Sequence, residues 1–520
     1  MAEFDRTKNA ARNLAFGALL KVYQLIMPFI MRTCMIYFMG VEYLGLDTLF
    51  ASVLQVLNLA ELGVGSAMVY SMYRPIAEDD HPTICALLRL YRIHYRIIGI
   101  VILVCGLALT PAIPYLVKGN IPAELNIYVL YWINLGFTSL SYWLFAYKNS
   151  LLQAYQRADV VSKVSIGTST LQYALRLFII FVLKDYYLYI LATLAAQVLT
   201  NVVCAVCATR MFPYLKPAGS LAPEERKAIS RRIRDLFTAR IGGVVVNSAD
   251  TIVISAFLGL SMLAVYQNYF YVVTAVTGLL GLIFSAALAG IGNSLATEPK
   301  EKNFRDLERL TFAVAWLAGA CVCCMLCLYQ PFMEVWVGEA LMLEYPAVVF
   351  FCLYFYIQEI NTLLNTYKDA GGIWHKDRFR PLAVSAANLA LNLVLVQFWG
   401  VYGVLASTFL VTLVIGMPWL LFNLFTCLFE WECLKGYVCA IAKFAAAAVV
   451  AAALCVFVCS VAGLSGWCAL GFNLVVCLVV PNALFFVLFK KRPEFAYLAA
   501  LANRFTFGKI GPLQKWAGKE

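Results

Sequence analysis

Seven formally charged side chains stand out inside the long apolar runs of this 520-residue chain. Four are cations and three are carboxylates: Lys21, Arg32, Arg176, Arg240, Glu61, Asp250 and Glu359. Each charge at mid-bilayer depth costs roughly 2.5–3.5 kcal/mol, so seven that faced lipid would cost about 20 kcal/mol. We therefore expect them to face one another or a hydrated interior. Cations there can bind an anionic group such as a phosphate, and the carboxylates can carry a coupling proton or sodium ion.

Polar residues recur around these charges at helical spacing. Lys21 and Arg32 share a helix face with Pro28, and they lie about 16 Å apart along the axis at 1.5 Å per residue. Arg176 follows Gln172 by four positions. Polar residues also recur at helical spacing beside Asp250 and Glu359. The pattern predicts a wet central cleft lined by five amides: Gln172, Asn247, Gln358, Asn361 and Asn365.

Structural explanations remain open for several of these residues. Intramembrane amides and hydroxyls commonly join helices by hydrogen bonds. Lys21 and Arg240 lie within two turns of the predicted inner surface, where snorkelling to the headgroups explains them equally well. Arg176 could pair with Glu61, and Glu61 could instead fix a helix contact beside its neighbouring glycines.

The elements that must position these residues are membrane-spanning helices. The chain is 62% hydrophobic and 13% charged, with a mean hydropathy of +0.80, whereas soluble domains carry roughly 25% charged residues. A spanning helix needs about 20 apolar residues. This length predicts an all-α integral membrane protein with about fourteen spans: 13–39, 46–70, 91–116, 124–147, 159–183, 186–210, 237–260, 266–290, 307–329, 345–369, 378–398, 400–425, 437–461 and 465–489.

The basic residues indicate the topology. Nearly all of them fall on the side of the N-terminus, and the opposite loops contain only Lys118 and Lys184. Cytoplasmic loops are enriched in Lys and Arg, so we expect a multi-pass protein of the cytoplasmic membrane with both termini in the cytoplasm. The first apolar run is too long for a cleavable signal. The net charge of +11 then faces anionic membrane lipid, and nucleic-acid binding is not needed to explain it.

An internal repeat at an offset of 219–220 residues predicts two lobes. Gly40 matches Gly259, Lys21 matches Arg240, and Tyr147-Lys148 matches Tyr367-Lys368. Two parallel six-helix halves are a transporter plan. The predicted regions are a six-helix lobe at 1–211, a basic cytoplasmic linker at 212–236 that ends in a surface helix, a second lobe at 237–427, an additional helix pair at 428–489 and a cytoplasmic tail at 490–520.

The seventeen cysteines lie mostly inside apolar runs, where a cysteine usually acts as a small hydrophobic residue. Neither CxxC sequence has a second pair or a histidine at metal-ligand spacing. We therefore expect no metal site and no cofactor.

Several short motifs resemble bacterial polysaccharide flippases of the O-antigen and capsule type. In the first half these are Lys8-Asn-Ala-Ala-Arg-Asn13, Met39-Gly-Val-Glu-Tyr-Leu-Gly-Leu46 and Leu59-Ala-Glu-Leu-Gly-Val-Gly65. The second-half pattern is similar to theirs at Tyr367-Lys-Asp-Ala, Asn388, Asn392, Trp399-Gly-Val-Tyr-Gly-Val404 and Thr408. The resemblance covers essentially the whole chain. It indicates the multidrug/oligosaccharidyl-lipid/polysaccharide exporter superfamily better than it indicates a substrate.

The resemblance implies two lobes around a V-shaped cavity that opens alternately to either membrane face. It implies a substrate of undecaprenyl-diphosphate-linked oligosaccharide, with glycan polymerases or glycosyltransferases as possible partners. Cavity cations would receive the pyrophosphate, and the candidates are Lys21, Arg32, Arg176 and Arg240. The candidates for the coupling ion are Asp250, Glu359 and Glu61.

Two other functions remain as alternatives. A cation-coupled multidrug or small-molecule exporter on the same fold would need an anionic cavity. A membrane-embedded glycan polymerase or glycosyltransferase would need a sizeable outer loop with catalytic groups, and the three histidines all lie near the predicted inner face. We therefore expect a transporter without enzymatic activity.

Overall fold

The computed structural model describes residues 6–61, 63–118, 121–145, 147–464 and 466–498. All regular structure in these ranges is helical, so the predicted all-α membrane fold is confirmed. The helices are α1 Arg6–Phe38, α2 Val41–Leu57, α3 Val64–Ala77, α4 His81–Leu109, α5 Ile127–Trp143, α6 Lys148–Ala154, α7 Ala158–Phe178, α8 Tyr186–Met211, α9 Pro223–Leu258, α10 Leu260–Thr297, α11 Lys300–Val337, α12 Tyr345–Ala370, α13 Trp374–Asp377, α14 Arg380–Val411, α15 Met417–Cys427, α16 Cys433–Ala462 and α17 Gly466–Phe489.

Eleven helical segments in the described ranges are long and apolar enough to cross a membrane. One of them, Trp374–Cys427, contains two predicted spans, because Gly400 adopts φ 55° and ψ −131° and kinks the helix between them. Two other predicted spans, 46–70 and 124–147, fall on helices of at most 17 residues. These differences make the architecture consistent with fourteen crossings.

The helices group into two compact units, Met1–Ala264 and Val265–Glu520. In the first unit α1 packs against α7, α7 against α8, and α9 against α2 and α3. Side chains start several of these helices: Asp80, Asn126 and Asp185 each accept a hydrogen bond from a backbone N–H of the first turn. The bonds from Thr83 lower the pKa of the partly exposed Asp80 carboxyl below its ordinary value.

The predicted span 46–70 is not one helix. It breaks after a short 3-10 turn at Asn58–Glu61, and α3 restarts after Gly63, which adopts a left-handed φ of 87°. Glycine takes this conformation without the steric penalty of a Cβ. The break places Glu61 at the junction of α2 and α3, where it faces α4 and α5.

The basic segment before the seventh predicted span also differs from the prediction. We expected a separate surface helix at the end of the linker, but α9 begins at Pro223 and continues without interruption to Leu258. Proline at the first helical position has no N–H to leave unpaired and its φ already suits a helix. The linker itself docks on the first unit, since Arg89 donates to the Gly219 carbonyl at 2.8 Å.

The two glycines of the predicted repeat occupy equivalent turns. Gly40 (φ 128°, ψ 162°) separates α1 from α2, and Gly259 (φ 95°, ψ 172°) separates α9 from α10. This backbone region is essentially restricted to glycine, and a Cβ on Gly259 would lie 2.8 Å from the Lys118 carbonyl oxygen. The shared conformation supports the repeat. The boundaries of the lobes and of the additional helix pair remain predictions.

In the second unit, α16 and α17 pack against α11. An aromatic cluster of Phe312, Phe444, Phe485 and Phe489 joins the three helices, with ring centroids 5.3–6.5 Å apart. Further along, a Cβ on Gly319 would lie 3.1 Å from that of Ala448. A small residue at this point therefore lets α11 and α16 approach closely.

Candidate substrate and ion sites

Arg176 is a buried guanidinium held between two groups of the first unit. It lies in the last turn of α7 and its side chain is 10% exposed. Its Nη2 lies 3.8 Å from Asp47 Oδ2, and its Cζ lies 3.9 Å from the ring centroid of Tyr189. The buried Nε has no hydrogen-bond acceptor among the described residues. The side chain is therefore positioned by a cation–π contact and a loose ion pair, with donor capacity left over.

The ion-pair partner differs from the one that the sequence suggested. The sequence left open a structural pair between Arg176 and Glu61. This pair does not form, because Glu61 accepts hydrogen bonds from Tyr95 and Tyr142 instead. The partner is Asp47 on α2, whose carboxylate is 40% exposed. The predicted second span began at residue 46, which left Asp47 at its edge, whereas α2 begins at Val41. The Asp47 charge therefore lies inside α2 and not at the edge of a span.

Arg32 lies at nearly the same level as Arg176. Helices α1 and α7 are in contact below the arginines through Tyr23 and Thr170, whose hydroxyls are 2.9 Å apart. Above them, the rings of Phe38 and Phe181 lie 4.7 Å apart. Both arginines fall between these two contacts, so the parallel helices place them at similar depths.

Of the other two predicted cations, one is exposed and the side chain of the other lies outside the described residues. Lys21 is exposed on α1, in agreement with either snorkelling or an open site. The side chains of Arg240 and Asn247 lie outside the described residues. Gln172 is half-buried one turn before Arg176, on the same face of α7.

Glu61 is bonded to two tyrosines from two helices. Its carboxylate accepts hydrogen bonds from Tyr95 Oη on α4 and from Tyr142 Oη on α5, the latter at 2.6 Å. The chain continues from Tyr95 to Tyr91 and from Tyr91 to Ser150, at 3.0 and 2.9 Å. This geometry favours the structural explanation, in which Glu61 fixes the α2–α3 junction against α4 and α5.

Glu359 is an entirely buried carboxyl on α12 of the second unit. Within the described residues, neither of its carboxylate oxygens has a hydrogen bond of normal geometry, although Thr277 on α10 comes close enough to interact. The buried Tyr356 hydroxyl and the Asn361 carbonyl oxygen, on the same helix, are likewise unsatisfied. A buried polar atom without a partner costs about 1–3 kcal/mol, so the buried Glu359 carboxyl calls for a proton or an ion.

The remaining acidic and amide candidates divide between the two units. Asp250 is buried on α9 of the first unit. In the second unit, Gln358 is half-buried beside Glu359. The carbonyl oxygen of Asn365 accepts a hydrogen bond from Arg380 Nη2 at 2.8 Å. This bond gives Asn365 a structural role that the lining prediction did not include.

A buried ionic network at the α12–α14 junction was missed in the sequence. Arg380 donates to both carboxylate oxygens of Asp377, at 2.7 and 2.8 Å, and Asn423 donates to Asp377 at 2.9 Å. Lys368 Nζ lies 3.6 Å from the same carboxylate. Asp377 and Arg380 are 3% and 7% exposed. Arg380 binds the Asp377 carboxylate bidentately, so this network anchors the junction of the helices.

We expect Arg380→Ala to lower the stability of the protein by about 3 kcal/mol, because it leaves the Asp377 carboxylate buried without its bidentate partner. Thermal unfolding of the purified protein in detergent measures this change. Arg378→Ala, which removes an exposed arginine from the same turn, is the matched control. An equal shift in the two variants, or none in either, would show that the network does not stabilise the fold.

Comparisons with known proteins identify the fold. No family model matches the sequence, and no curated protein matches it. Several solved structures match over most of its length, and three of them illustrate the range. The lipid II flippase MurJ in an inward closed conformation has a TM-score of 0.66 at 13% identity, covering 92% of this chain and 99% of that one. An inward-facing multidrug resistance MATE transporter of the MOP superfamily has a TM-score of 0.61 at 15% identity, covering 81% and 99%.

The third structure is a MOP superfamily transporter from Pyrococcus furiosus. Its TM-score is 0.53 at 15% identity, covering 82% of this chain and 96% of that one. The binding pocket of that transporter is described as having a reverse polarity, which suggests a different function for it. The chain has the MurJ and MATE fold. At these identities the likeness establishes this architecture and leaves the substrate to the residues of the site.

Proposed function

We propose that the protein is a flippase of the cytoplasmic membrane that moves an undecaprenyl-diphosphate-linked oligosaccharide from the cytoplasmic to the outer leaflet. Transport would proceed by alternating access, coupled to a proton or sodium gradient. The fold of a lipid II flippase supports this class of function. The observation that carries the proposal is the buried, incompletely bonded guanidinium of Arg176.

The chemistry of Arg176 suits a pyrophosphate. A diphosphate cannot cross about 30 Å of hydrocarbon unless its charge is neutralised. An arginine fork binds phosphate oxygens bidentately. The pair with Asp47 is long at 3.8 Å, so a diphosphate can displace Asp47 at little cost. Arg32, at a similar depth on the adjacent helix, would supply a second cation to the same anion.

The second half of the proposal concerns the coupling ion. Glu359 is the strongest candidate among the three predicted carboxylates, since it is wholly buried and has no hydrogen bond of normal geometry within the described residues. A proton or a sodium ion bound there would satisfy the carboxyl. Asp250 remains a second candidate. Glu61 is the weakest, because its oxygens are already bonded.

The MATE neighbours favour a second candidate function, a cation-coupled exporter of small molecules. Such an exporter would bind organic cations in an anionic site. The best-defined free donor capacity in the first unit belongs to a guanidinium instead. An anion-bearing substrate therefore fits these residues better, and neither candidate function involves enzymatic catalysis.

Binding of undecaprenyl diphosphate to the purified protein tests the proposal. We expect the diphosphate to raise the unfolding temperature of the wild-type protein by mass action, with a smaller effect for undecaprenyl phosphate and none for an organic cation such as ethidium. Stabilisation by ethidium without any by the diphosphate would favour the exporter. Equal effects of the diphosphate and of undecaprenol would show that only the lipid tail is recognised.

A further inference from the structure

Three helices of the second unit bring a cluster of cysteines together. Three thiols define its centre, and their Sγ atoms all lie within 4.8 Å of one another: Cys327 on α11, Cys459 on α16 and Cys477 on α17. We call these residues the thiol triad. Cys327 and Cys477 are buried, whereas Cys459 is partly exposed one turn before the end of α16.

Three further cysteines adjoin the thiol triad. Cys324 and Cys455 interact with the thiol of Cys477, and Cys323 lies within electrostatic range of Cys327. The Cys477 thiol also donates to the backbone carbonyl oxygen of Cys323 at 3.3 Å. Six of the seventeen cysteines of the chain therefore meet in one place.

The backbone around the thiol triad is fixed by independent contacts. Asn473, one turn before Cys477, donates its side-chain N–H to the Cys327 carbonyl oxygen at 2.9 Å. The close approach of α11 and α16 at Gly319 lies two turns from Cys327. Ligands carried by rigid, tightly packed helices hold their spacing better than ligands on loops.

The donor set determines which ion would fit. The three groups offer sulfur alone, and soft thiolate ligands select Cu(I) over hard cations such as Mg²⁺ or Ca²⁺. Metal–sulfur bonds of about 2.3 Å imply sulfur–sulfur separations near 4 Å, which small side-chain rotations of the thiol triad provide. Three ligands suffice for Cu(I). Two thiolates and one thiol around a monovalent ion leave a single net charge in the helix bundle, where higher charge is costly.

We propose that the thiol triad, Cys327, Cys459 and Cys477, binds a monovalent thiophilic metal ion, with Cu(I) as the matching ion. Binding converts two thiols to thiolates and releases two protons, so affinity rises with pH. The partly exposed Cys459, next to the end of α16, is the side from which the ion enters. The competing interpretation is that these thiols act only as small hydrophobic residues in the packing of α11, α16 and α17.

Copper titration of the full-length protein in detergent distinguishes the two interpretations. The protein is reduced and kept anaerobic, and Cu(I) is supplied in competition with a coloured Cu(I) chelator. We expect about one equivalent to be retained, with at least a tenfold loss of affinity in Cys327→Ser and in Cys477→Ser. The matched controls Cys439→Ser and Cys468→Ser, at exposed positions of α16 and α17, should bind as the wild type does.

A packing role alone would give a different result. Wild-type protein that retains no more copper than the triad variants, or controls that lose as much as those variants, would overturn the proposal. X-ray absorption of the copper-loaded wild type gives a second readout that does not depend on a variant folding. A first shell of sulfur alone at about 2.3 Å supports the site, and a shell containing nitrogen or oxygen contradicts it.

Discussion

Arg176→Ala should reduce flipping of a polyprenyl-diphosphate-linked oligosaccharide by roughly 10- to 100-fold. A hydrogen bond to a charged group contributes about 1.5–3 kcal/mol, and each 1.4 kcal/mol corresponds to a factor of ten. The loss should appear in complementation of a flippase-deficient strain and in purified protein reconstituted in liposomes. Arg176→Lys should retain part of the activity, because it keeps the charge but loses the bidentate fork.

Two controls separate substrate binding from a structural role. Arg74→Ala removes an exposed arginine with a surface ion pair and should leave flipping unchanged. Asp47→Asn removes the partner of Arg176 but leaves its guanidinium available, so diphosphate binding should be retained or strengthened. If Asp47→Asn lost as much activity as Arg176→Ala, the pair itself would be the functional element and the anion-site proposal would fail.

Glu359→Gln should make transport insensitive to an imposed proton or sodium gradient, with a loss of rate of tenfold or more. The substitution preserves shape and removes the group that would bind the ion. Flipping in proteoliposomes with and without each gradient measures the effect. Glu339→Gln, the same change at an exposed position, is the control and should keep the wild-type dependence.

The effect of sodium on thermal stability identifies the coupling ion. When the free sodium concentration is 100 times the dissociation constant, binding stabilises a protein by about 2.7 kcal/mol. Sodium should therefore raise the unfolding temperature of the wild type and not that of Glu359→Gln. If sodium raised the unfolding temperature of Glu359→Gln as much as that of the wild type, another carboxylate such as Asp250 would be the coupling group.

The architecture could be predicted because the length and apolar composition of membrane helices are visible in the sequence. The apolar runs predicted the all-α membrane fold, and the helical segments are consistent with the predicted fourteen crossings. The repeat of Gly40 and Gly259 corresponds to one shared backbone turn. The break at Gly63 was less visible, because the residues on both sides of it are apolar enough to continue a span.

The partners of the charged residues could not be predicted in the same way. Arg176 is a candidate by its type and depth in the sequence, but its partner Asp47 lies more than a hundred positions away and on another helix. Glu61 is an ionic candidate by sequence alone, because its two tyrosine partners lie on other helices, 34 and 81 positions away. The thiol triad is the clearest case, because its members come from three helices and leave no local ligand spacing.

One reconstitution tests the central claim that a buried guanidinium of this fold carries an anionic headgroup across the bilayer. Purified protein in liposomes is given a fluorescent oligosaccharide linked to undecaprenyl diphosphate, and probe exposed at the outer face is quenched over time. The account predicts protein-dependent flipping that falls sharply in Arg176→Ala and not in Arg74→Ala. Flipping that is absent, or equally fast in all three proteins, would contradict it.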